Sequence, residues 1–372
     1  VLPIEKAGQR KYFNMARKKL LSFPNMKRIG ITGSYGKTST KFILGTILSE
    51  KYKTYITPQS YNTPMGVSRV INGELTADYE IFVSEMGARH VGDIKEMCDL
   101  VNPEYGIITS IGPQHLETFK TIETVASTKY ELIEALPEGG HAFFPDDGAY
   151  GKACYDKCGT AKTLFGLSPI DGVYASDFSF SYAGCLFTLH DGKGGSIKCR
   201  TKLLGQHNIQ NITGAAAVAL ELGLTLEEIA AGIEKIAPVE HRLQIMDTNN
   251  GITVIDDSFN SNPVGCKAAM EILRDFPGRH IVITPGLVEL GDAEEAENRS
   301  FGEAMAKAAD IAILVGEKRS RPIKEGLIAA GFDSNNIIIV NSLNEASARL
   351  ANITQIGDTV LFENDLPDNY DE

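Results

Sequence analysis

The chain has 372 residues, a hydrophobic content of 43% and a formal net charge of −12 from 36 basic and 48 acidic side chains. This length predicts two or three domains, each large enough for a core of its own. The acidic balance argues against nucleic acid as the main partner, because no basic stripe offsets the repulsion from phosphates.

The six cysteines are scattered along the chain. Cys154 and Cys158 are four residues apart, but no second Cys or His pair completes a zinc set. We therefore predict buried free thiols in a reducing compartment. The sequence also has no apolar stretch of about 18 residues, so it predicts a cytoplasmic protein without a transmembrane segment.

Residues 1–26 carry basic pairs between apolar residues and predict an amphipathic lead-in helix that ends near Pro24. The sequence starts at Val1 rather than Met, from which we expect a longer N-terminus in the gene product.

Residues 27–237 are predicted to form a central α/β domain. Apolar strands alternate with helical patterns up to about residue 157, which indicates a parallel sheet covered on both faces. Short alternating runs at 173–182, 185–190 and 196–203, separated by Gly-rich turns, predict a small antiparallel subsheet. The predicted strands before that subsheet are 28–32, 54–57, 79–85, 105–111 and 141–144, and the predicted helices of the domain are 38–51, 93–100, 122–136, 208–222 and 226–236.

Residues 238–372 show a second α/β alternation, which begins at Pro238 and predicts a smaller Rossmann-like domain. Its predicted strands lie near residues 252–255, 280–284, 311–315, 337–340 and 359–362.

Within residues 29–40, a Gly-rich loop follows the first strand and opens directly into a helix. Such a loop directs backbone N–H groups and the positive end of the helix dipole at an anion, so it predicts a nucleotide-phosphate site. Lys37 supplies a charge for the terminal phosphates, and the Thr38 hydroxyl is placed to ligate Mg²⁺. The general pattern has Gly where this chain has Ile31, and the alternative is a plain strand-to-helix turn with an incidental lysine.

Three further residues suit a phosphate site. Glu85 ends an apolar strand, where the Mg²⁺ partner of a phosphate loop belongs. His115 follows the strand at 105–111 and is either a second metal ligand or a polar loop residue. Lys129 lies early in a helix, where the alternative is a solvated side chain.

In this order the motifs resemble the Mur ligase family, ATP-dependent ligases that build the peptide stem of the bacterial cell wall. The segment TGSYGKT at 32–38 is similar to the family's phosphate loop, which lacks the first glycine, and GQHNIQN at 205–211 to its Gly-x-His-Asn-x-x-Asn element. HRL at 241–243 and DDSFNSNP at 256–263 match its domain-boundary arginine and its Asp-Asp-x-Tyr-Asn-x-Asn-Pro segment.

The resemblance implies ATP and two Mg²⁺ ions as cofactors. Thr38 and Glu85 would hold the first ion, and His115 and a carbamylated Lys129 the second. The implied catalytic residues are Lys37, His115, Lys129 and Arg242. The implied ATP-binding residues are Gly33, Ser34, Tyr35, Gly36, Lys37, Thr38, Ser39, Asn208, Asn211, Arg242 and Asp257.

Within the family, the chain resembles ligases that add D-alanyl-D-alanine to UDP-N-acetylmuramoyl-tripeptide through an acyl phosphate. Asn62, Thr63, Asn260 and Asn262 are the implied substrate residues, although the loop at 57–66 could be a plain connection. The family's N-terminal UDP-binding domain is not represented, and Asn298 stands where many members have His.

The ending of the chain resembles a subgroup with a membrane-associated N-terminal region, and we expect a monomer. The alternatives are folylpolyglutamate synthase, another amino-acid-adding ligase of the family, or an ATP-binding scaffold with weak catalysis.

Overall fold

A computed structural model of the chain describes residues 2–58, 61–114, 116–181, 184–238, 243–247, 251–258, 262–288 and 290–364. The chain divides into two compact units. The first comprises Val1–Phe178, Leu186–Thr201 and His207–Ile236, and the second comprises Ser179–Cys185, Lys202–Gln206 and Ala237–Glu372.

The first sheet has nine strands in the order β2-β3-β1-β4-β5-β6-β7-β8-β9. All pairs from β2 to β7 are parallel, as the alternation of apolar strands and helices predicts. The strands are β1 (Lys27–Thr32), β2 (Thr54–Ile56), β3 (Ile81–Glu85), β4 (Tyr105–Ile108), β5 (His141–Pro145), β6 (Ala161–Gly166), β7 (Val173–Ser181), β8 (Gly184–His190) and β9 (Ser196–Thr201).

Nine helices accompany these strands along the described part of the chain. The lead-in helix belongs to the core of this unit, because Ala16 and Leu20 are completely buried. The helices are α1 (Leu2–Leu21), α2 (Lys37–Leu48), α3 (Pro64–Gly73), α4 (Asp93–Val101), α5 (Leu116–Phe119), α6 (Ile122–Glu134), α7 (Tyr150–Lys157), α8 (Gln206–Glu221) and α9 (Leu226–Glu234).

The three predicted strands of the subsheet are β7, β8 and β9, which are neighbours at one edge of the sheet. The first of them, β7, pairs in parallel with β6, a strand that the sequence patterns did not predict, so residues 161–181 continue the parallel sheet. Two residues separate β7 from β8 and five separate β8 from β9, too few for the crossover that parallel neighbours need, so these strands run antiparallel. The antiparallel part is therefore an extension of the main sheet at one edge.

The strand order places β1 between β3 and β4, and these three strands are parallel. Ile31 near the end of β1 pairs with Glu85 at the end of β3. In open parallel sheets, ligands bind outside the carboxyl ends of such central strands. The loops that follow β1, β3 and β4 therefore meet where a ligand site is expected.

The second sheet has six strands in the order β10-β11-β15-β12-β13-β14, all parallel except β10, which covers one edge in the antiparallel sense. The sequence patterns missed β10. The strands are β10 (Gln244–Asp247), β11 (Thr253–Asp257), β12 (His280–Thr284), β13 (Ile311–Val315), β14 (Ile337–Val340) and β15 (Thr359–Glu363).

Two apolar clusters flank this second sheet. Val282 belongs to one cluster, whereas its neighbours Ile281 and Ile283 belong to the other, because successive strand residues point to opposite faces. Ala346 of α13 lies in the second cluster. The helices are α10 (Pro263–Leu273), α11 (Glu294–Met305), α12 (Glu317–Ala329) and α13 (Leu343–Ile353).

All six cysteines are buried and have free thiols, as predicted. Within the part of the chain that the structure describes, no helix combines the length and the apolar character that crossing a bilayer requires.

Candidate active site

The predicted phosphate loop is the turn between β1 and α2. Gly36 precedes the first residue of α2 and has φ of 79°, a left-handed conformation that favours glycine. A Cβ at this position would also lie 2.6 Å from Oδ1 of Asn211. Glycine is required here both for the backbone conformation and for the close approach of Asn211, one of the two predicted asparagines of α8.

The loop is fastened to the segment that follows β4. The amide of Ser34 donates to the carbonyl of Ser110 (2.9 Å), and the amide of Tyr35 donates to the Ser110 hydroxyl (3.0 Å). The Ser34 hydroxyl donates to the carbonyl of Gly112 (2.9 Å), and the Tyr35 hydroxyl donates to the carbonyl of Pro113. Since these groups have partners within the protein, we expect the phosphates to be met by the later amides, at Gly36 and in the first turn of α2.

Lys37 is folded back over this loop. Its Nζ donates to the carbonyl of Gly33 at 2.7 Å and to the carbonyl of Ser34 at 3.1 Å. The ammonium group is thus held at the mouth of the predicted phosphate site, within the turn that the anion would enter.

Glu85 is the centre of a buried polar cluster. Its side chain is 1% exposed, and its Oε1 accepts hydrogen bonds from Oγ1 of Thr38 and from Nδ2 of Asn62, both at 3.1 Å. Its Oε2 lies 3.2 Å from Nζ of Lys41. The structure therefore brings together the two predicted ligands of the first metal ion, with Asn62 and an unpredicted lysine around them.

The donor set of this cluster fits Mg²⁺. A carboxylate oxygen and a hydroxyl oxygen are hard ligands, and Mg²⁺ in nucleotide sites takes one or two such groups together with phosphates and water. No group of three or more His, Cys, Asp or Glu side chains that could hold a metal occurs among the described residues.

Lys129 on α6 is 1% exposed, so it is not a solvated helix residue. Burial, and then repulsion from Lys37, lower its pKa from the ordinary 10.5 to about 7, although Asp93 and Glu131 act in the opposite direction. A lysine with this pKa is partly neutral near pH 7, and a neutral amine is the form that can take up carbon dioxide as a carbamate. His115, its predicted partner at a second metal ion, lies outside the described residues.

The loop before α3 combines a structural and a candidate substrate role. Thr63 caps α3, because its Oγ1 accepts a hydrogen bond from the amide of Gly66 (3.3 Å). Asn62 contacts Glu85 through its side chain, and its carbonyl accepts from the amide of Gly87 (2.9 Å). The loop is therefore anchored to the end of β3, beside the predicted metal ligand.

The remaining candidates of the first unit are mostly buried. Ser39 is 7% exposed, Asn208 is 7% exposed and Asn211 is 9% exposed. Asn211 lies against Gly36 of the phosphate loop. The assignment of Asn208 to the nucleotide base stays a prediction.

The second unit carries the other candidates. Asp257 ends β11, and its Oδ1 accepts a hydrogen bond from the amide of Leu243 (3.0 Å), which has a positive φ of 46°. Asn262 caps α10 by accepting hydrogen bonds from the amides of Val264 (3.1 Å) and Gly265 (3.0 Å). Arg242 and Asn260 lie outside the described residues, so their roles stay predictions.

Sequence reasoning missed Lys41 and Ser110. Lys41 follows Thr38 by three residues in the same helix, a spacing that puts two side chains on one face. That spacing could have linked Lys41 to the predicted metal site. No comparable signal marks Ser110, because its contact with the phosphate loop depends on how β1 and β4 pair.

Two protein-family models match this chain. The model of the Mur ligase middle domain matches residues 31–219, and that of the Mur ligase, glutamate ligase domain, matches residues 241–363. UDP-N-acetylmuramoyl-tripeptide–D-alanyl-D-alanine ligase of Escherichia coli (strain K12) is 34% identical over 288 residues, which are 76% of this chain and 62% of the relative. The chain thus spans less than two thirds of that relative's length.

Two solved structures share the fold over 96% of the chain. MurF from Acinetobacter baumannii has a TM-score of 0.85 at 28% identity, with 77% of its chain covered. The MurF ligase from Thermotoga maritima in complex with ADP has a TM-score of 0.85 at 25% identity, with 80% of its chain covered.

Proposed function

The chain belongs to the Mur ligase family, and from that premise we propose that it is an ATP-dependent ligase that joins D-alanyl-D-alanine to UDP-N-acetylmuramoyl-tripeptide. The product would be a peptidoglycan precursor. The substrates are those named in the E. coli relative. The observation that carries the chemistry is the hydrogen bond between the Thr38 hydroxyl and the buried Glu85 carboxylate next to the phosphate loop.

The proposed reaction has two steps. The terminal carboxylate of the tripeptide attacks the γ-phosphate of ATP, which gives an acyl phosphate and ADP. The amine of D-alanyl-D-alanine then attacks the acyl carbon, and phosphate leaves as the amide forms. The first step brings two anions together, so the protein must supply positive charge and correct positioning.

The charges of this chain meet that need. Lys37 lies over the phosphate loop and would move from the carbonyls of Gly33 and Ser34 to the terminal phosphates. The first turn of α2 directs its amides and the helix dipole at the same anion. Bound Mg²⁺, held by Thr38 and Glu85, would supply further neutralisation of phosphate charge. A second ion held by His115 and carbamylated Lys129 is part of this proposal.

The test is phosphate release from ATP in the presence of Mg²⁺ and UDP-N-acetylmuramoyl-tripeptide, with and without D-alanyl-D-alanine. We expect full turnover only with both substrates, and a loss of about 100-fold or more in the Lys37→Ala variant. Lys53→Ala is the matched control. Lys53 is exposed and precedes β2, so it lies at the amino ends of the parallel strands, whereas the phosphate loop lies at their carboxyl ends.

Two results would contradict the proposal. Turnover with glutamate and a folate, but none with the muramoyl tripeptide, would assign the chain to the folylpolyglutamate synthases. ATP binding without phosphate release in either assay would favour the ATP-binding scaffold.

A further inference from the structure

Lys41 is a completely buried lysine that the proposed reaction does not use. It lies on α2, one turn after Thr38, with 0% of its surface exposed. Burial lowers its pKa, and the neighbouring Glu85 opposes that shift. A buried ion pair is weak evidence for stability, because desolvation of both charges offsets their attraction. Stability therefore does not explain why a lysine is buried at this position of α2.

The two oxygens of the Glu85 carboxylate have different partners. Oε1 accepts from the Thr38 hydroxyl and from the Asn62 amide, whereas Oε2 accepts from Nζ of Lys41 at 3.2 Å. A carboxylate held at both oxygens has a fixed plane and a fixed rotation about its last bond. Lys41 thus helps to fix the orientation in which one oxygen of Glu85 lies beside Thr38.

We propose that Lys41 is a positioning residue for nucleotide-bound Mg²⁺, which acts by holding Oε2 of Glu85 so that Oε1 is presented beside Thr38. This inference rests on the proposed function, in which Thr38 and Glu85 hold the first ion. Hydrogen-bond partners that orient a metal ligand typically affect metal affinity by 10- to 100-fold. Lys41 is such a hydrogen-bond partner, because it donates to Glu85, the proposed metal ligand.

Coulomb repulsion between Lys41 and a bound cation acts in the opposite direction. If repulsion dominated, removal of Lys41 would strengthen Mg²⁺ binding. We expect positioning to dominate, because Glu85 is 1% exposed and a buried carboxylate without its counter-charge is strongly destabilised in that position. Without Lys41, we expect the Glu85 carboxylate to rotate away from Thr38, which withdraws a ligand from the metal site.

The experiment measures the melting temperature with a fixed concentration of ADP while Mg²⁺ is increased, and takes the midpoint of the Mg²⁺-dependent rise. Lys41→Met retains the length of the side chain without its charge. Lys162→Met is the matched control, because Lys162 is a partly buried lysine of β6 that donates to the carbonyls of Tyr155 and Cys158. Protection by ADP without Mg²⁺ is measured for each protein.

We expect the midpoint in Lys41→Met to rise by about 10- to 100-fold, with unchanged protection by ADP alone and a wild-type midpoint in Lys162→Met. An equal or lower midpoint in Lys41→Met, with a normal response of the wild type, overturns the role of Lys41 alone. A wild type without any Mg²⁺ response overturns the proposed metal site and this inference with it.

A failure of Lys41→Met to fold is also informative. The double variant Lys41→Met/Glu85→Gln removes both charges, so it should recover a folded protein if Lys41 serves Glu85. A double variant that stays unfolded would assign Lys41 to packing and overturn the inference.

Discussion

The aromatic ring of Tyr35 lies where a side chain at Gly112 would have to be. A Cβ on Gly112 would come within 2.8 Å of Cε2 of that ring. The ring cannot easily yield, because the Tyr35 hydroxyl is bonded to the carbonyl of Pro113. Tyr35 and Gly112 thus couple the phosphate loop to the segment after β4, which leads to His115.

We expect Gly112→Ala to destabilise the protein by about 1–3 kcal/mol, since the added methyl group overpacks this contact. In a Tyr35→Ser background the ring is absent, and the same substitution should be almost neutral. Urea unfolding of the two single variants and the double variant gives the coupling free energy. Gly73→Ala is the control, because a Cβ there meets nothing within 4 Å. Equal costs of Gly112→Ala in both backgrounds would contradict the coupling.

The lowered pKa of Lys129 should make the stability of the protein depend on pH. Its pKa is about 7 in the folded protein and 10.5 ordinarily, so between these values the unfolded chain binds more protons. Stability should therefore rise with pH, by about 1.5 kcal/mol from about pH 7 to about pH 8.5. The measurement is urea unfolding of wild type and Lys129→Met in buffer free of carbon dioxide.

The measurement of Lys129 stops at about pH 8.5 so that it stays below the ordinary cysteine pKa of 9.0. Burial raises the pKa of Cys98 from 9.0 to about 12. Above about pH 9 the unfolded thiols lose protons first, and stability falls for that reason. Lys41 has a lowered pKa as well, but it contributes equally to both proteins. The same slope in wild type and Lys129→Met would show that Lys129 is not the source.

Substitution of Asn298 should cause a large loss of stability in the second unit. Its Oδ1 accepts from the amide of Leu287 (2.8 Å), and its Nδ2 donates to the carbonyls of Leu287 and Glu294 (both 2.9 Å). Asn298 is 2% exposed, so Asn298→Leu would leave buried backbone groups without these partners. We expect a loss of about 3 kcal/mol, measured by urea unfolding.

The control for Asn298 is Asn352→Leu, which changes an exposed asparagine that bonds only to the carbonyl of Ala348 among the contacts described for it. Its effect should be within about 0.5 kcal/mol. A similar effect of both substitutions would mean that the buried hydrogen bonds of Asn298 add little.

The sequence predicted those features that depend on local patterns. The apolar strand, the glycines and the following helix predicted β1, the turn after it and α2, and the strand-end position of Glu85 predicted that its carboxylate lies beside this turn. These features could be predicted from the sequence because each depends on residues next to one another in the chain.

Features that depend on pairing between distant segments could not be predicted from the sequence. β6 has an exposed first residue and a polar beginning, so only its pairing with β5 and β7 defines it as a strand. Likewise, Ser34 and Tyr35 were predicted as ATP-binding residues, and the sequence did not show that their amides bond to Ser110, on the loop after another strand. Asn298 was noted only as a departure from the family, whereas its three hydrogen bonds identify it as a support of the loop after β12.

The folded-back position of Lys37 has a consequence for the catalytic cycle. Because its ammonium group already has two carbonyl partners, the proposed binding of a nucleotide would exchange acceptors of Lys37 rather than add a new bond. The contribution of Lys37 to binding would then be only the difference between a phosphate and two carbonyl oxygens as partners. In the proposed reaction, the same carbonyls would take the lysine back when ADP leaves, so the loop would give up some affinity for the nucleotide and ease the release of product.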